Sequence, residues 1–332
     1  MTGYVDPNLG QWSRTNRLLA DAAARAGATV EELTDVHTDA LVALCRGDKR
    51  VIVAKTRSPF LTAVANKLAN NKYTSGVVLR RAGLPTVDRL LVEDLSAGEQ
   101  RAAARAALAR WGTVVVKPNW GNRALGVTKG VTTWSSLTRA VRVAVGVDED
   151  EEALIEPELT GVNLRISVIG GVAAAACVIE RPVLVGDGVT TLREQITALN
   201  TDPRRGYGWR AERPTPIDLV EPDSTWAATL RARGFSLERR LPPGVSVEVL
   251  PEEAETIDVT DVLHPDLANI ATRACSGLGV DVGGVDLIVP DPSESAGVLL
   301  EVNCLPALHL HALPTRGQPR PVFDAFVAWC LQ

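Results

Sequence analysis

The stretch TVVVKPNWGNRALGVTKG (residues 113–130) carries two glycines at the spacing of a phosphate-binding loop, but its lysine stands in another place. Gly121 and Gly126 match G-x-x-x-x-G, yet Val127 and Thr128 occupy the positions where a P-loop needs lysine followed by serine or threonine. Lys117 comes before the glycines, at the end of a β-branched run, and a second β-rich run follows over residues 127–131. Helical periodicity then covers 134–145. Strand, loop, strand, helix is not the strand, loop, helix order of a P-loop or a dinucleotide-binding turn. The stretch therefore predicts an antiparallel hairpin, with Lys117 on one arm and backbone N–H groups in a turn whose glycines permit positive φ and close approach to a ligand.

Outward from the hairpin, residues 14–46 show helical periodicity through RTNRLLADAAARAGA and again through TDALVALC, and KRVIVAKT (49–56) is a short β-rich run. Residues 63–82 read as a helix pair closed by Gly83-Leu84-Pro85, and 95–111 as an alanine-rich helix. After the acidic run 148–152, ALIEPELTG leads into ISVIGGVAAAACVI (166–179), bounded by Arg165 and Glu180. That run is too short to span a bilayer and predicts two buried strands turning at Gly170-Gly171. Residues 186–226 are loop-rich, 266–277 are helical, and GVDLIV and VLLEVN are two acid-bearing strands joined by the loop PDPSESA.

The 332 residues are 45% hydrophobic, enough for a large core in one multi-lobed unit or two to three subdomains. A formal charge of -5, with lysine and arginine spread along the chain, gives no field suited to a nucleic-acid backbone. The opening MTGYVDPNLGQW has neither a basic nor an apolar leader region, and nothing in it suggests export or a membrane partner. Five widely spaced cysteines, an odd number without zinc-ligand spacing, fit reduced and buried thiols in a cytoplasm.

Asp286 sits inside the apolar strand GVDLIV, and in LLEVN the residues Glu301 and Asn303 are two apart and share one strand face. Buried carboxylates require a metal or a cationic partner. Three hard oxygen ligands on adjacent strands suit Mg²⁺; an acid that caps a loop or pairs with an arginine is the competing reading. Lys72, Lys117 and the glycine turn together could neutralise a nucleotide triphosphate, although Lys117 alone could be a solvated strand end. In LIEPEL, Glu156 could accept from an adenine amino group and the Leu159 N–H could donate to a ring nitrogen. No Ser/His/Asp or Cys/His signature of a side-chain nucleophile is evident.

In the order Asn71-Lys72, VVVKPNWGNRALGV, IEPELTGVNLRISV, GVDLIV and EVNCLPAL, the chain resembles the ATP-grasp superfamily. Within it, the resemblance is closest to the ATP-grasp module of cyanophycin synthetase and of bifunctional glutathione synthetases, above all through VLVGDGVTTLREQITALNTDPRRG (183–206) and the wording near 258–266. The resemblance implies an α+β ATP-grasp fold: two α+β lobes gripping ATP, with a mobile small lid subdomain. It divides the chain into an N-terminal subdomain (1–112), the lid (113–155) and a C-terminal subdomain with the metal site (156–332). It implies that Lys72 and Lys117 hold the α- and β-phosphates, and that the turn with Gly121, Asn122, Gly126 and Val127 closes over the β- and γ-phosphates. Glu156, Glu158 and Leu159 would line the adenine, and Asn163 stands where the family usually has an acid for the ribose. Arg165 and Arg181 would face phosphates or the acyl-phosphate, and Asp286, Glu301 and Asn303 would hold two Mg²⁺ ions, with Mn²⁺ as a substitute.

The implied activity is an ATP-dependent carboxylate–amine ligase that forms an amide through an acyl-phosphate and releases ADP and phosphate. Its substrates would be small amino-acid or peptide metabolites, and a homodimer is compatible with the resemblance. A phosphotransferase or non-amine ligase, and a nucleotide-binding partner protein without turnover, are the alternatives. Two departures stand out. Arg123, Ala124 and Leu125 replace the middle of the family's G-N-H-G-R-G-V turn, and Ala307-Leu308-His309-Leu310-His311 replaces the family's Gly-Leu-Arg-Met-His after Pro306. Substrate choice is therefore not carried over. His309 and His311, and Arg204, Arg205 and Arg210, are substrate candidates against the alternatives of loop histidines and a solvated basic stretch. The Mur-ligase-like domain of cyanophycin synthetase and the glutamate–cysteine ligase domain of the glutathione enzyme do not fit in the 332 residues, which disfavours a two-site polymerising enzyme.

Overall fold

A computed structural model describes residues 13–33, 41–96, 98–121, 124–206, 215–222, 224–232, 234–249 and 255–332. The chain begins with α1 (Arg14–Arg25), capped by the Ser13 side chain, and continues into the antiparallel meander β1 (Thr29–Glu32), β2 (Val42–Arg46) and β3 (Lys49–Val53). The helical periodicity read in TDALVALC gives way here to a strand. Val42, Ala43 and Leu44 are all buried and β2 is paired on both sides, and a short apolar run takes whichever element its neighbours offer.

The expected helix pair is α2 (Ala63–Asn70) and α3 (Lys72–Arg81). It breaks at Asn71, which leaves helical geometry and caps α3 by accepting from the Thr74 N–H at 2.8 Å. Next come β4 (Leu90–Val92), α4 (Gly98–Trp111), β5 (Val114–Pro118), β6 (Thr128–Val131), α5 (Trp134–Val145) and β7 (Ala153–Pro157). The hairpin is present: β5 and β6 pair antiparallel, Val114 opposite Val131 and Val116 opposite Thr128. They lie in a four-stranded sheet ordered β4-β7-β5-β6 over a core that includes Val116, Leu137 and Ile155. The sheet thus starts at Leu90, upstream of the expected division at 113, because the three-residue β4 pairs with β7. A strand that short has no period to read.

The second half contains β8 (Val162–Ile169), β9 (Val172–Glu180), β10 (Val183–Val185), α6 (Leu192–Leu199), α7 (Ser224–Ala232), β11 (Ser246–Glu248) and β12 (Glu255–Asp258). It closes with α8 (Pro265–Leu278), β13 (Val282–Val289), β14 (Val298–Asn303), α9 (His309–Ala312) and α10 (Val322–Cys330). A five-stranded antiparallel sheet, β12-β9-β8-β13-β14, carries α8 with α2 and α3 on one core, while α1 and α10 meet Ile169, Ala175 and Val282 in another. β8 and β9 turn at Gly170-Gly171 as predicted, with φ of 58° and 82°; a Cβ at Gly170 would meet the Trp329 ring at 2.5 Å. Cys177, Cys275, Cys304 and Cys330 are buried.

Between β9 and β12, the described residues of 183–249 build a small core of their own around Leu192, Trp226, Leu241 and Val247. Ala124 and Val127 of the hairpin turn pack against it, and Lys129 on β6 pairs with Glu248 on β11 at 2.7 Å. The motif at 183–206 is a framework for this segment. Asp187 accepts the Val189 and Thr190 N–H bonds at 2.8 Å, Thr191 and Glu194 form a capping box, and the Asn200 amide exchanges two 2.9 Å bonds with the Val220 backbone. Hydrogen bonds donated by Thr190, from its backbone N–H above all, hold the exposed Asp187 carboxyl down at about 2.

Candidate active site

The antiparallel register sets Asp286 on β13 directly opposite Glu301 on β14 and opposite Arg165 on β8. Arg165 grips Asp286 with two prongs, Nε to Oδ1 at 2.5 Å and Nη2 to Oδ2 at 2.8 Å. Asn303 Nδ2 donates to Asp286 Oδ2 at 2.9 Å and to Glu301 Oε1 at 3.3 Å. The three expected ligand residues are therefore gathered, and the arginine pairing weighed for Asp286 is present as well. Burial and the adjacent Glu301 charge push the Asp286 carboxyl up against the pull of Arg165. Burial also opposes ionisation of Glu301, but Lys72, Lys117 and Arg165 outweigh it and hold that carboxyl down at about 2.

The donor set fits a hard cation. Two carboxylates face one amide whose nitrogen stands between them, and rotation of that amide would present its oxygen at the same point. No cluster of three or more His, Cys, Asp or Glu residues forms an alternative metal site among the described residues.

From the other side the four-stranded sheet supplies cations. Lys117 Nζ on β5 lies 2.8 Å from Glu156 Oε2 on β7, and Arg89 Nε lies 3.0 Å from Glu156 Oε1. Lys72, at the start of α3, donates to the Gly121 carbonyl at 2.6 Å and so ties the glycine turn to the helix. Burial, with Lys117 alongside, draws the Lys72 ammonium below the ordinary lysine range, while Glu301 opposes it. Glu301 thus stands in the field of Lys72 at the start of α3 and Lys117 on the hairpin arm. Gly126 has φ 71°, and a Cβ there would sit 2.5 Å from Val147 Cγ2. Gly126→Ala is expected to destabilise the protein by about 1–3 kcal/mol in urea unfolding, from the left-handed backbone and the clash together.

The residues expected on the adenine side have these surroundings. Glu156 is 3% exposed and bound by Lys117 and Arg89, so its carboxylate is engaged rather than open to a base. Glu158 accepts the Gly130 N–H at 2.8 Å, Leu159 is half-buried just past β7, and Asn163 lies on β8 opposite Ile179. Gly121 is exposed with φ 110°, Val127 donates to the Ala124 carbonyl at 3.2 Å, and Asn122 lies outside the described residues. Arg181 follows β9 and adds positive potential at Asp286.

The substrate candidates divide. His309 is half-buried in α9. His311 is 1% exposed, with both ring nitrogens lacking a hydrogen-bond partner; burial, with Arg165 and His309 adding to it, draws its imidazole down to about 3, which keeps it neutral. Arg204 pairs with Asp202 at 2.7 Å and with Glu255 at 2.9 Å, on the edge strand β12, three strands from Asp286. Arg205 is 8% exposed and donates to the Asp218 carbonyl. Both hold the loop together, and Arg210 lies outside the described residues.

Three residues escaped the sequence reading. Arg89 joins Glu156, the Lys72 carbonyl and the Leu300 carbonyl, bridging both sheets. Asn119, 1% exposed, donates to Glu152 at 2.5 Å and accepts the Tyr73 N–H at 2.8 Å. Asp148 accepts the Trp120 N–H at 2.6 Å, so the acidic run anchors the hairpin instead of being only a solvated stretch. The run PNW after Lys117 was a usable signal for Asn119; a single arginine before an apolar triplet was none for Arg89.

No family model matches the chain. It is similar to cyanophycin synthetase of Crocosphaera subtropica, 27% identical over 298 residues, 86% of this chain and 33% of that one. It is also similar to the glutathione biosynthesis bifunctional protein GshAB of Enterococcus faecalis, 32% identical over 221 residues, 62% of this chain and 28% of that one. The chain thus spans about a third of the length of these curated relatives. The crystal structure of a bifunctional glutathione synthetase from Pasteurella multocida superposes with a TM-score of 0.59 at 24% identity, covering 98% of this chain and 45% of that one. No helix among the described residues is long and apolar enough to cross a membrane.

Proposed function

We propose that this chain, which has the ATP-grasp fold, is an ATP-dependent carboxylate–amine ligase that makes an amide from two small amino-acid or peptide substrates and releases ADP and phosphate. The observation that carries the reading is the convergence of Lys72 and Lys117 with Glu301, Asp286 and Asn303 beneath the glycine hairpin.

In this reading the hairpin turn and the two lysines bind the triphosphate, with backbone N–H groups and ammonium charge facing the phosphate oxygens. Asp286, Glu301 and the Asn303 amide would hold Mg²⁺, which neutralises charge on the transferring phosphate. Lys117 and Arg181 stabilise the charge that develops as the γ-phosphate passes to a substrate carboxylate. The acyl-phosphate so formed is attacked by an amine, and no protein nucleophile takes part. Arg165 opposes the upward push on the Asp286 carboxyl and aims it with two hydrogen bonds. The test is a coupling screen of amino acids and dipeptides with MgATP, read by mass spectrometry. An amide product with ADP and phosphate supports the reading; a stable phosphorylated product, or tight ATP binding without ADP release under any acceptor, defeats it.

Lys117→Met is expected to weaken ATP binding at least tenfold in calorimetric titration, the scale of losing a charge-assisted contact of about 1.5–3 kcal/mol. The melting temperature without nucleotide should fall less in proportion, since Arg89 still compensates Glu156. Equal losses in affinity and stability would make the lysine a structural partner of Glu156 only.

A further inference from the structure

The segment after β3 folds back as a tight turn, Ala54 bridging Arg57, with Lys55 held at φ 55°. A non-glycine residue in that region persists only where its surroundings fix it. They do so on both sides of Arg57. The buried Thr56 hydroxyl donates to the Pro306 carbonyl at 2.6 Å, and the buried Ser58 hydroxyl donates to Asp281, which also accepts Trp329 Nε1 at 2.6 Å. Pro306 in turn lies against the acid site: a Cβ on Gly284 would touch Pro306 Cβ and Arg165 Cδ, each at 3.3 Å. The turn therefore brings Arg57 to the Pro306 side of the Arg165–Asp286 pair.

Several cations around this site are matched by acids. Arg165 has Asp286, Arg89 and Lys117 have Glu156, and Arg320 has Asp258 and Asp261. Arg57, like Arg181, has a buried Nε without a hydrogen-bond partner, and no acid among the described residues pairs with it. A guanidinium carried on an anchored backbone turn, partly desolvated and without an acid, is a fork shaped for a carboxylate.

We propose that Arg57 is a specificity residue that binds a spectator carboxylate, one that is not activated, on a substrate of the ligase; this rests on the ligase reading above. The spectator belongs either to the acyl donor or to an amino-acid acceptor. Hydroxylamine separates the two, because it replaces the acceptor amine and converts the acyl-phosphate to a hydroxamate. Wild type, Arg57→Met and Arg57→Lys are supplied with MgATP and a mixture of the twenty α-amino acids, once alone and once with hydroxylamine, and ADP, hydroxamate and amide are measured.

Arg57→Met is expected to need at least tenfold more amino acid for half-maximal rate, with the KM for ATP within twofold of wild type and Arg57→Lys intermediate. If the rise appears in the hydroxylamine reaction too, the spectator is on the donor; if only amide formation suffers, it is on the acceptor. Unchanged half-saturation in Arg57→Met, with coupling intact, overturns Arg57 alone. Neither hydroxamate nor amide from wild type overturns the ligase reading and this proposal with it. Equal rises for ATP and amino acid in a variant with a lowered melting temperature would show a structural turn and also overturn it.

Discussion

Glu301→Gln is expected to reduce ADP formation about a thousandfold, the scale seen when one preorganised electrostatic partner of a transition state is removed. The substitution changes little volume, so the loss is electrostatic. It takes one of two carboxylates from the proposed metal-binding set and the counter-charge from the field of Lys72 and Lys117. The same cations give a second signature. The Glu301 carboxyl titrates at about 2 in the fold against 4.5 ordinarily, so its contribution to stability is complete above pH 4.5 and is lost as the pH falls toward 2. The stability gap between wild type and Glu301→Gln should therefore be widest near neutrality and narrow through that window, which urea unfolding at several pH values reads directly. Turnover within tenfold of wild type would remove Glu301 from the reacting centre.

The other large effect is on folding. Arg89→Met leaves the buried Glu156 with Lys117 as its sole ion-pair partner and strips hydrogen bonds from the Lys72 and Leu300 carbonyls, at a site where the Arg89 and Glu156 side chains are each 5% exposed. Breaking a buried pair in this way costs about 3–5 kcal/mol. Arg89→Lys should recover little, because one ammonium cannot reach three acceptors spread around a planar fork. Gly76 belongs to the same arrangement: a Cβ there would collide with the Arg89 guanidinium, so Gly76→Ala should reproduce part of the loss. An unfolding free energy within 1 kcal/mol of wild type for Arg89→Met would show that the two sheets do not depend on this bridge.

The contrast between these two residues marks what the sequence discloses. Glu301 was legible because a strand's period of two puts it beside Asn303, and an acid in an apolar strand demands a partner. The hairpin was legible because glycine spacing and β-branched arms agree, and the β8–β9 turn because Gly170-Gly171 interrupts a continuous apolar run. Arg89 and the engagement of Glu156 were not, since each depends on which strand becomes whose neighbour across long separations. The same cause hid β2 and β4: one is a strand because it is paired on both flanks, the other because β7 receives three residues that have no pattern of their own. The motif at 183–206 was the most specific feature for the resemblance, yet its polar side chains turn out to serve local backbone.

Residues 183–249 are threaded between two strands of the large sheet but lean on the small one. Lys129 is anchored to Glu248, Arg139 donates to the Ala232 carbonyl at 3.1 Å, and Ala124 and Val127 are embedded in the segment's own apolar core. The glycine turn is consequently moored at both ends, to α3 through Lys72 and to this outrigger through β6. Any swing of the hairpin away from the acid cluster must either tow the outrigger or tear a partly exposed ion pair, and the second route becomes easier as salt rises.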